Sequence, residues 1–286
     1  MAGCPSTRAP PAPRSRRRQP SRSNHRTSET EIVTRRVLVT NDDGIFAPGL
    51  AVLAAAVREM GHDVVVVAPD REMSGSSSSM GSMAYADHVS FEEVVLAELP
   101  DIPAYALDGP PAACVIAATL GGFGAPPDLV VSGVNPGFNC GRATLHSGTV
   151  GAALTAARWG CSGLAVSIGL ADRIHWLTAA SYAQAALGAL ADAEPCTVVN
   201  LNVPNLALDD VRGIRFAELA PFNAVRTVIT GRSTGRLHVT LQPTELPVPE
   251  GTDTALVNQG FATITFLASV SSVNPYAEGP DTGFEL

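Results

Sequence analysis

The stretch RVLVTNDDGIFAPGL, residues 36–50, carries the pattern from which the fold is read. Arg36-Val-Leu-Val-Thr40 is an apolar run of strand length, and Asn41-Asp42-Asp43-Gly44 is turn chemistry. Pro48 then suits the first turn of a helix whose apolar positions are Leu50, Leu53, Ala54 and Val57 and which stops at Gly61. A second strand follows at Asp63–Ala68 (DVVVVA), too uniformly apolar for a sheet with a wet face. The pattern repeats at Asp128–Ser132, Leu164–Ile168 and Thr197–Val203, with helical stretches near 111–120, 147–159 and 175–192 between. Apolar strands alternating with helices predict an α/β fold with a mostly parallel sheet covered on both faces. Beyond Pro204 the texture changes to short alternating strands at Gly213–Glu218, Val225–Thr230 and Arg236–Leu241, expected to form an antiparallel β extension over about 205–250. A last short helix and strand are expected at Thr252–Val257 and Phe261–Leu267.

Composition narrows the class. The chain has 286 residues, of which 45% are apolar and 16% charged, a globular balance with length for a large core. No apolar run approaches the ~20 residues that span a bilayer, so no membrane partner is expected. The five cysteines (Cys4, Cys114, Cys140, Cys161 and Cys196) are odd in number and contain no C-x-x-C pair, which disfavours a disulfide framework or structural zinc and fits a reducing cytoplasm.

The net charge of −8 conceals a division. All basic residues are Arg; residues 1–30 hold seven against the single acid Glu29, while the rest carries 12 against 26 acids. Residues 1–34, rich in Arg, Pro and Ser, are read as a disordered extension ahead of a folded domain at 35–286. The acidic body argues against a stable nucleic-acid partner, and admits an anionic substrate only if a cation or aimed N–H groups reverse the local field.

In doubly wound sheets ligands bind beyond the carboxyl ends of the strands, so the residues there matter most. Asp42 and Asp43 are adjacent carboxylates at the first strand's end, suited to a hard divalent cation. The second strand leads to Asp70-Arg71-Glu72-Met73-Ser74-Gly75 and a serine run, which is either a featureless connection or a source of hydroxyl and N–H groups. Asn135 and Asn139 bring amides in the Gly-rich loop after 128–132, and Ser147 is placed to cap a helix N-terminus, a ready anion site. Each feature alone is explained by turn or cap chemistry. Together, at one edge of one sheet, they point to metal-assisted chemistry on a phosphate.

These motifs carry a family resemblance. VLVTNDDGIFAPGL at 37–50, APDREMSG at 68–75, YALDG at 105–109, VVSGVNPGFN at 130–139, SGTVGAAL at 147–154, NLNVP at 200–204 and TDTALVNQGF at 252–261 resemble, in this order, the SurE family of stationary-phase survival proteins. The resemblance implies a Rossmann-like three-layer α/β/α fold, a β extension that joins subunits into a dimer or tetramer, and metal-dependent hydrolysis of nucleoside 5′- and 3′-monophosphates, with short polyphosphate left open as a further substrate. It implies one divalent cation per subunit, Mn²⁺ or Mg²⁺, on Asp42, Asp43, Ser74 and Asn135, with Asn139 and Ser147 near the phosphate. Water activated by the cation is the expected nucleophile, and an aspartyl-phosphate route through Asp42 or Asp43 is the alternative. His146, beside the cap, is either structural or a donor to the leaving group. The chain departs from the family's common Thr-Pro-Ala-Asp-Cys with Pro110-Pro111-Ala112-Ala113-Cys114, and has Thr155 where many relatives carry Glu. Those departures bear on substrate preference or on packing. The reading from a different class is a non-catalytic nucleotide-binding stress protein.

Overall fold

The computed structural model describes residues 33–222, 225–244, 246–268 and 270, so all but the last two residues of the 1–34 extension lie outside the described residues. The elements in chain order are β1 (Arg36–Thr40), α1 (Pro48–Glu59), β2 (Asp63–Pro69), β3 (Phe91–Val94), β4 (Ala104–Leu107), α2 (Pro111–Thr119), β5 (Leu129–Pro136), α3 (Gly148–Arg158), β6 (Ser162–Ile168), α4 (Trp176–Ala191), β7 (Val198–Val203), β8 (Ile214–Phe216), β9 (Val225–Ser233), β10 (Arg236–Pro243), α5 (Asp253–Asn258) and β11 (Ala262–Leu267).

Nine strands form one sheet in the order β3-β4-β2-β1-β5-β6-β7-β11-β8. The six from β4 to β7 run parallel, while β3 and β11 are antiparallel to their neighbours β4 and β7. The strand runs are apolar on both faces because both are covered. Val37, Val39, Val64 and Val66 point into one core layer with Leu50, Leu53 and Val57 of α1 and Ala183 and Leu187 of α4. Leu38, Val65, Val67 and Val130 point the other way, onto Ala113 and Val115 of α2 and Ala152 and Ala156 of α3. The result is the expected three-layer α/β/α arrangement.

Strand order fixes where a ligand can bind. From β1 the chain moves outward through β2 to β4, then crosses back and continues from β5 through β6 to β7 on the other side. The loop after β1 therefore leads to a helix on one face and the loop after β5 to a helix on the opposite face. That divergence opens a crevice at the carboxyl ends of β1 and β5.

The structure differs from the sequence reading at the edges. β3 and β4 are additions to it: β3 (FEEV) is mostly exposed and has no apolar run, and β4 (AYAL) is apolar but only four residues long. Of the three short strands assigned to the extension, β8 instead pairs with β11 at the edge of the main sheet. Only β9 and β10 stand apart, as an antiparallel hairpin. Among the described residues no helix is long and apolar enough to cross a membrane.

Candidate active site

The turn after β1 is held by its backbone. Ile45 N–H donates to the Pro69 carbonyl at 2.9 Å, and Asn41 Nδ2 to the Gly44 carbonyl at 3.0 Å. The Asp42 carbonyl accepts Met73 N–H at 2.7 Å, which draws the loop after β2 against the carboxylates. Arg71 reinforces that loop, donating to Asp70 at 2.7 Å and to Asp108, in the loop after β4, at 2.8 Å.

Asp42 is buried, and its Oδ1 accepts the Thr149 hydroxyl at 2.6 Å, which places the carboxylate at the N-terminus of α3. Ser147 caps the same helix, its Oγ accepting Val150 N–H at 3.1 Å. Two glycines permit the close approach. A Cβ on Gly148 would lie 2.8 Å from Asp42 Oδ2 and 2.7 Å from Ser76 Oγ, and one on Gly151 would lie 2.2 Å from the Ser77 carbonyl oxygen. The serine run is thus no featureless connection. Ser77 donates to the carbonyls of His146 and Leu145, and Ser78 Oγ to that of Gly151, so the run is packed along α3.

Asn135 is the penultimate residue of β5, paired with Ser167 of β6, and its Nδ2 donates to the Gly137 carbonyl at 2.7 Å, leaving Oδ1 as the end available to a ligand. Asn139 is half-buried and its Nδ2 donates to Ser167 Oγ at 2.8 Å. Ser74 is exposed on the loop that Met73 anchors to Asp42, with its N–H donated to Glu72 Oε1 at 2.7 Å. The structure therefore brings the loops carrying Asp42, Asp43, Ser74 and Ser147 together through direct contacts, with Asn135 on the adjoining strand. Asn139 belongs to a separate polar frame on β6 and β7.

Burial dominates the electrostatics. It pushes the Asp42 carboxyl above its ordinary value against the Thr149 hydrogen bonds, and Glu72 adds repulsion. Asp43 is raised to about 7 by burial, then by the Asp42 and Glu72 charges. Its Oδ2 is buried with no hydrogen-bond partner among the described residues, as is Ser76 Oγ. Two neighbouring carboxylates that resist ionisation, one with an orphaned oxygen, fit a divalent cation that would satisfy both. Among the described residues no three His, Cys, Asp or Glu side chains cluster to hold a metal, so such a cation would take two carboxylates and neutral oxygens, the donor set of a hard ion.

The same shift gives a stability prediction. A carboxyl whose folded pKa is about 7 and unfolded pKa 3.8 is neutral in both states at low pH. Stability is then lost as pH rises from 3.8 through about 7, where the fold must carry the charge. Asp43 is partly open to solvent, so after screening the loss is on the order of 1–2 kcal/mol. In metal-free protein, urea midpoints of the natural chain and Asp43→Asn should converge at pH 4, with the variant the more stable at pH 8.

Glu72, Ser76 and Thr149 escaped the sequence reading because their roles come from tertiary contacts, although all three lie inside or beside the quoted motifs. His146 is exposed, with its carbonyl accepting Ser77 N–H at 3.3 Å. Cys140 is buried, and burial, with Asp253 adding to it, pushes its thiol above the usual range, which disfavours the thiolate. Ala113 is fully buried beside Leu107, so the departure at that position is one of core packing. Thr155 is buried and donates to the Gly151 carbonyl at 2.7 Å.

Comparison with known proteins bears on the family and the fold. The family model described as "Survival protein SurE" matches residues 37–224. A protein named 5′-nucleotidase SurE from Xanthomonas euvesicatoria pv. vesicatoria is 35% identical over 237 residues, covering 80% of this chain and 88% of that one. One of the same name from Aeromonas hydrophila subsp. hydrophila is 36% identical, covering 80% and 90%. The crystal structure of the SurE protein from Aquifex aeolicus superposes with a TM-score of 0.68 at 29% identity, covering 81% of this chain and 92% of that one.

Proposed function

The chain belongs to the SurE family, and from that membership we propose that it is a divalent-cation-dependent phosphatase that hydrolyses nucleoside 5′-monophosphates, with activity extending to 3′-monophosphates and short polyphosphate. The observation that carries the reading is the adjacent pair at the β1–β5 crevice, Asp42 buried against the N-terminus of α3 and Asp43 half-buried beside it, with both carboxyls raised and Asp43 Oδ2 unpartnered among the described residues.

Asp42, Asp43, Ser74 and Asn135 would hold the cation, Mn²⁺ or Mg²⁺. Bound there, it supplies Lewis-acid chemistry, drawing charge from the phosphate oxygens and acidifying water. The chain's own residues do the rest. Ser147 Oγ accepts from Val150, so its hydroxyl hydrogen is free to donate to a phosphate oxygen. The first N–H groups of α3 and the Asn139 amide add donors for charge on the equatorial oxygens, and stabilising that charge is the main source of catalysis in phosphoryl transfer. Water's oxygen forms the new bond to phosphorus, the bond to the sugar oxygen breaks, and that oxygen leaves with a proton.

The test is release of inorganic phosphate from AMP, GMP and 3′-AMP in Mn²⁺ and in EDTA. Release abolished by EDTA is expected. Tight nucleotide binding without release would instead establish the non-catalytic alternative.

Assembly is part of the same proposal. Ile229, Leu237, Val239 and Leu241 of the β9–β10 hairpin are 60–67% exposed, an apolar surface on a ribbon that a single subunit leaves uncovered. A homo-oligomer, dimer or tetramer, would cover it. Replacing Leu237, Val239 and Leu241 together by Ser should move the protein to a smaller species in sedimentation; an unchanged mass would remove the hairpin from the interface.

A further inference from the structure

We infer that Asn202, Asn200 and Ser167 are positioning residues that aim Asn139 at the phosphate, an inference that rests on the proposed phosphatase reading. Asn139 is gripped at three points. Its N–H donates to Asn202 Oδ1 at 2.8 Å, and its carbonyl accepts Asn200 Nδ2 at 2.8 Å and Asn202 Nδ2 at 3.1 Å. Its side-chain Nδ2 donates to Ser167 Oγ at 2.8 Å. One amide hydrogen is thereby committed to β6, which fixes the amide plane and the direction of the second hydrogen.

The frame is rigid because it is part of the sheet. Ser167, Asn200 and Asn202 are all fully buried, and Ser167 pairs directly with Asn202 across β6 and β7. Asn is disfavoured in strand interiors, and the other residues of β7 are Val and Leu. Asn200 also leaves its Oδ1 buried without a partner among the described residues, a burden that an apolar side chain would not impose. Packing alone therefore does not account for these residues, whereas their grip on Asn139 does. Two residues further on, Gly141 N–H is held by buried Asp253 Oδ2 at 2.7 Å, so the loop is pinned on both sides of Cys140.

Among the described residues neither the Ser167 nor the Asn202 side chain hydrogen-bonds a proposed cation ligand; Ser167 pairs with Asn135 across β5 and β6 whereas Asn202 pairs with no ligand, so the Asn202 variant separates a positioning role from a general one. In full-length protein saturated with Mn²⁺, Ser167→Ala and Asn202→Ala should each lower kcat/KM for AMP by about tenfold and weaken inhibition by inorganic phosphate similarly. Mn²⁺ affinity should be unchanged in Asn202→Ala. A second measurement covers poor folding of the Asn202 variant: in an Asn139→Ala background, Ser167→Ala should cost nothing further, because its Oγ acts on the rate only through Asn139. Independent, multiplying losses, or unchanged phosphate inhibition in both single variants, would overturn the inference. Should the natural chain release no phosphate, the proposed function fails and the frame is read from amide hydrogen exchange at Asn139. Asn202→Ala should then speed that exchange by about tenfold while leaving Val150 unchanged, and equal protection would refute the frame.

Discussion

Asp42→Asn is expected to lower the turnover of AMP on the order of a thousandfold while leaving the fold intact and the melting temperature of the metal-free protein no lower. The substitution is isosteric, and Asn keeps an oxygen where Asp42 accepts the Thr149 hydroxyl, so the contact that seats the residue on α3 survives. What disappears is the negative charge. Burial already holds the Asp42 carboxyl above its ordinary value, so removing the charge relieves strain in metal-free protein and does not create it. Activity and stability should separate accordingly, and phosphate release measured beside a thermal melt checks both. An Asp42→Asn protein of unchanged rate would remove this residue from the site.

The second large effect is expected from a single added carbon. In Gly148→Ala the new Cβ falls 2.8 Å from both Cβ and Oδ2 of Asp42 and 2.7 Å from Ser76 Oγ, closer than carbon atoms can sit. Asp42 is short, buried and bonded to Thr149, so it cannot swing away without moving its carboxylate. A displacement approaching an ångström in a positioned group costs about a hundredfold in rate, which is the loss expected for AMP hydrolysis. Gly188→Ala on α4 is the control. Nothing lies within 4 Å of its Cβ, so it should gain up to about 1 kcal/mol from helix propensity at unchanged activity. Equal activity in the two variants would show that α3 does not press on Asp42.

Why the sheet interior was legible and its margins were not follows from what each strand buries. β1, β2, β6 and β7 are covered on both faces, so their residues read as apolar runs, and Pro48 and Gly61 mark the limits of α1 in the sequence itself. β3 has one half-buried residue in four, and β4 is bounded by Pro103 and the Asp108-Gly109 turn, so both depend on pairing that no local pattern announces. β8 reads like the hairpin strands beside it, yet its partner β11 lies at the far end of the chain.

The same contrast holds at the site. Strand ends and a helix cap are local features, so Asp42, Asp43, Asn135 and Ser147 could be singled out as candidates from the sequence. Thr149 hidden behind Asp42, Ser76 against Gly148, and the grip of Asn200 and Asn202 on a loop some sixty residues earlier arise only when the elements pack. A local clue did exist for the last of these: two Asn alternating through an otherwise apolar strand is a pattern that needs a polar partner.

On the proposed function, a cation on Asp42 and Asp43 would reconcile the acidic body of the chain with an anionic substrate. The direct test is a Mn²⁺ titration of the EDTA-stripped, full-length protein, with phosphate release from AMP followed at each addition. No release is expected before metal is added, followed by a rise that saturates near one equivalent per subunit. Full release from the stripped protein, or none at saturating Mn²⁺, would be incompatible with a cation in that role.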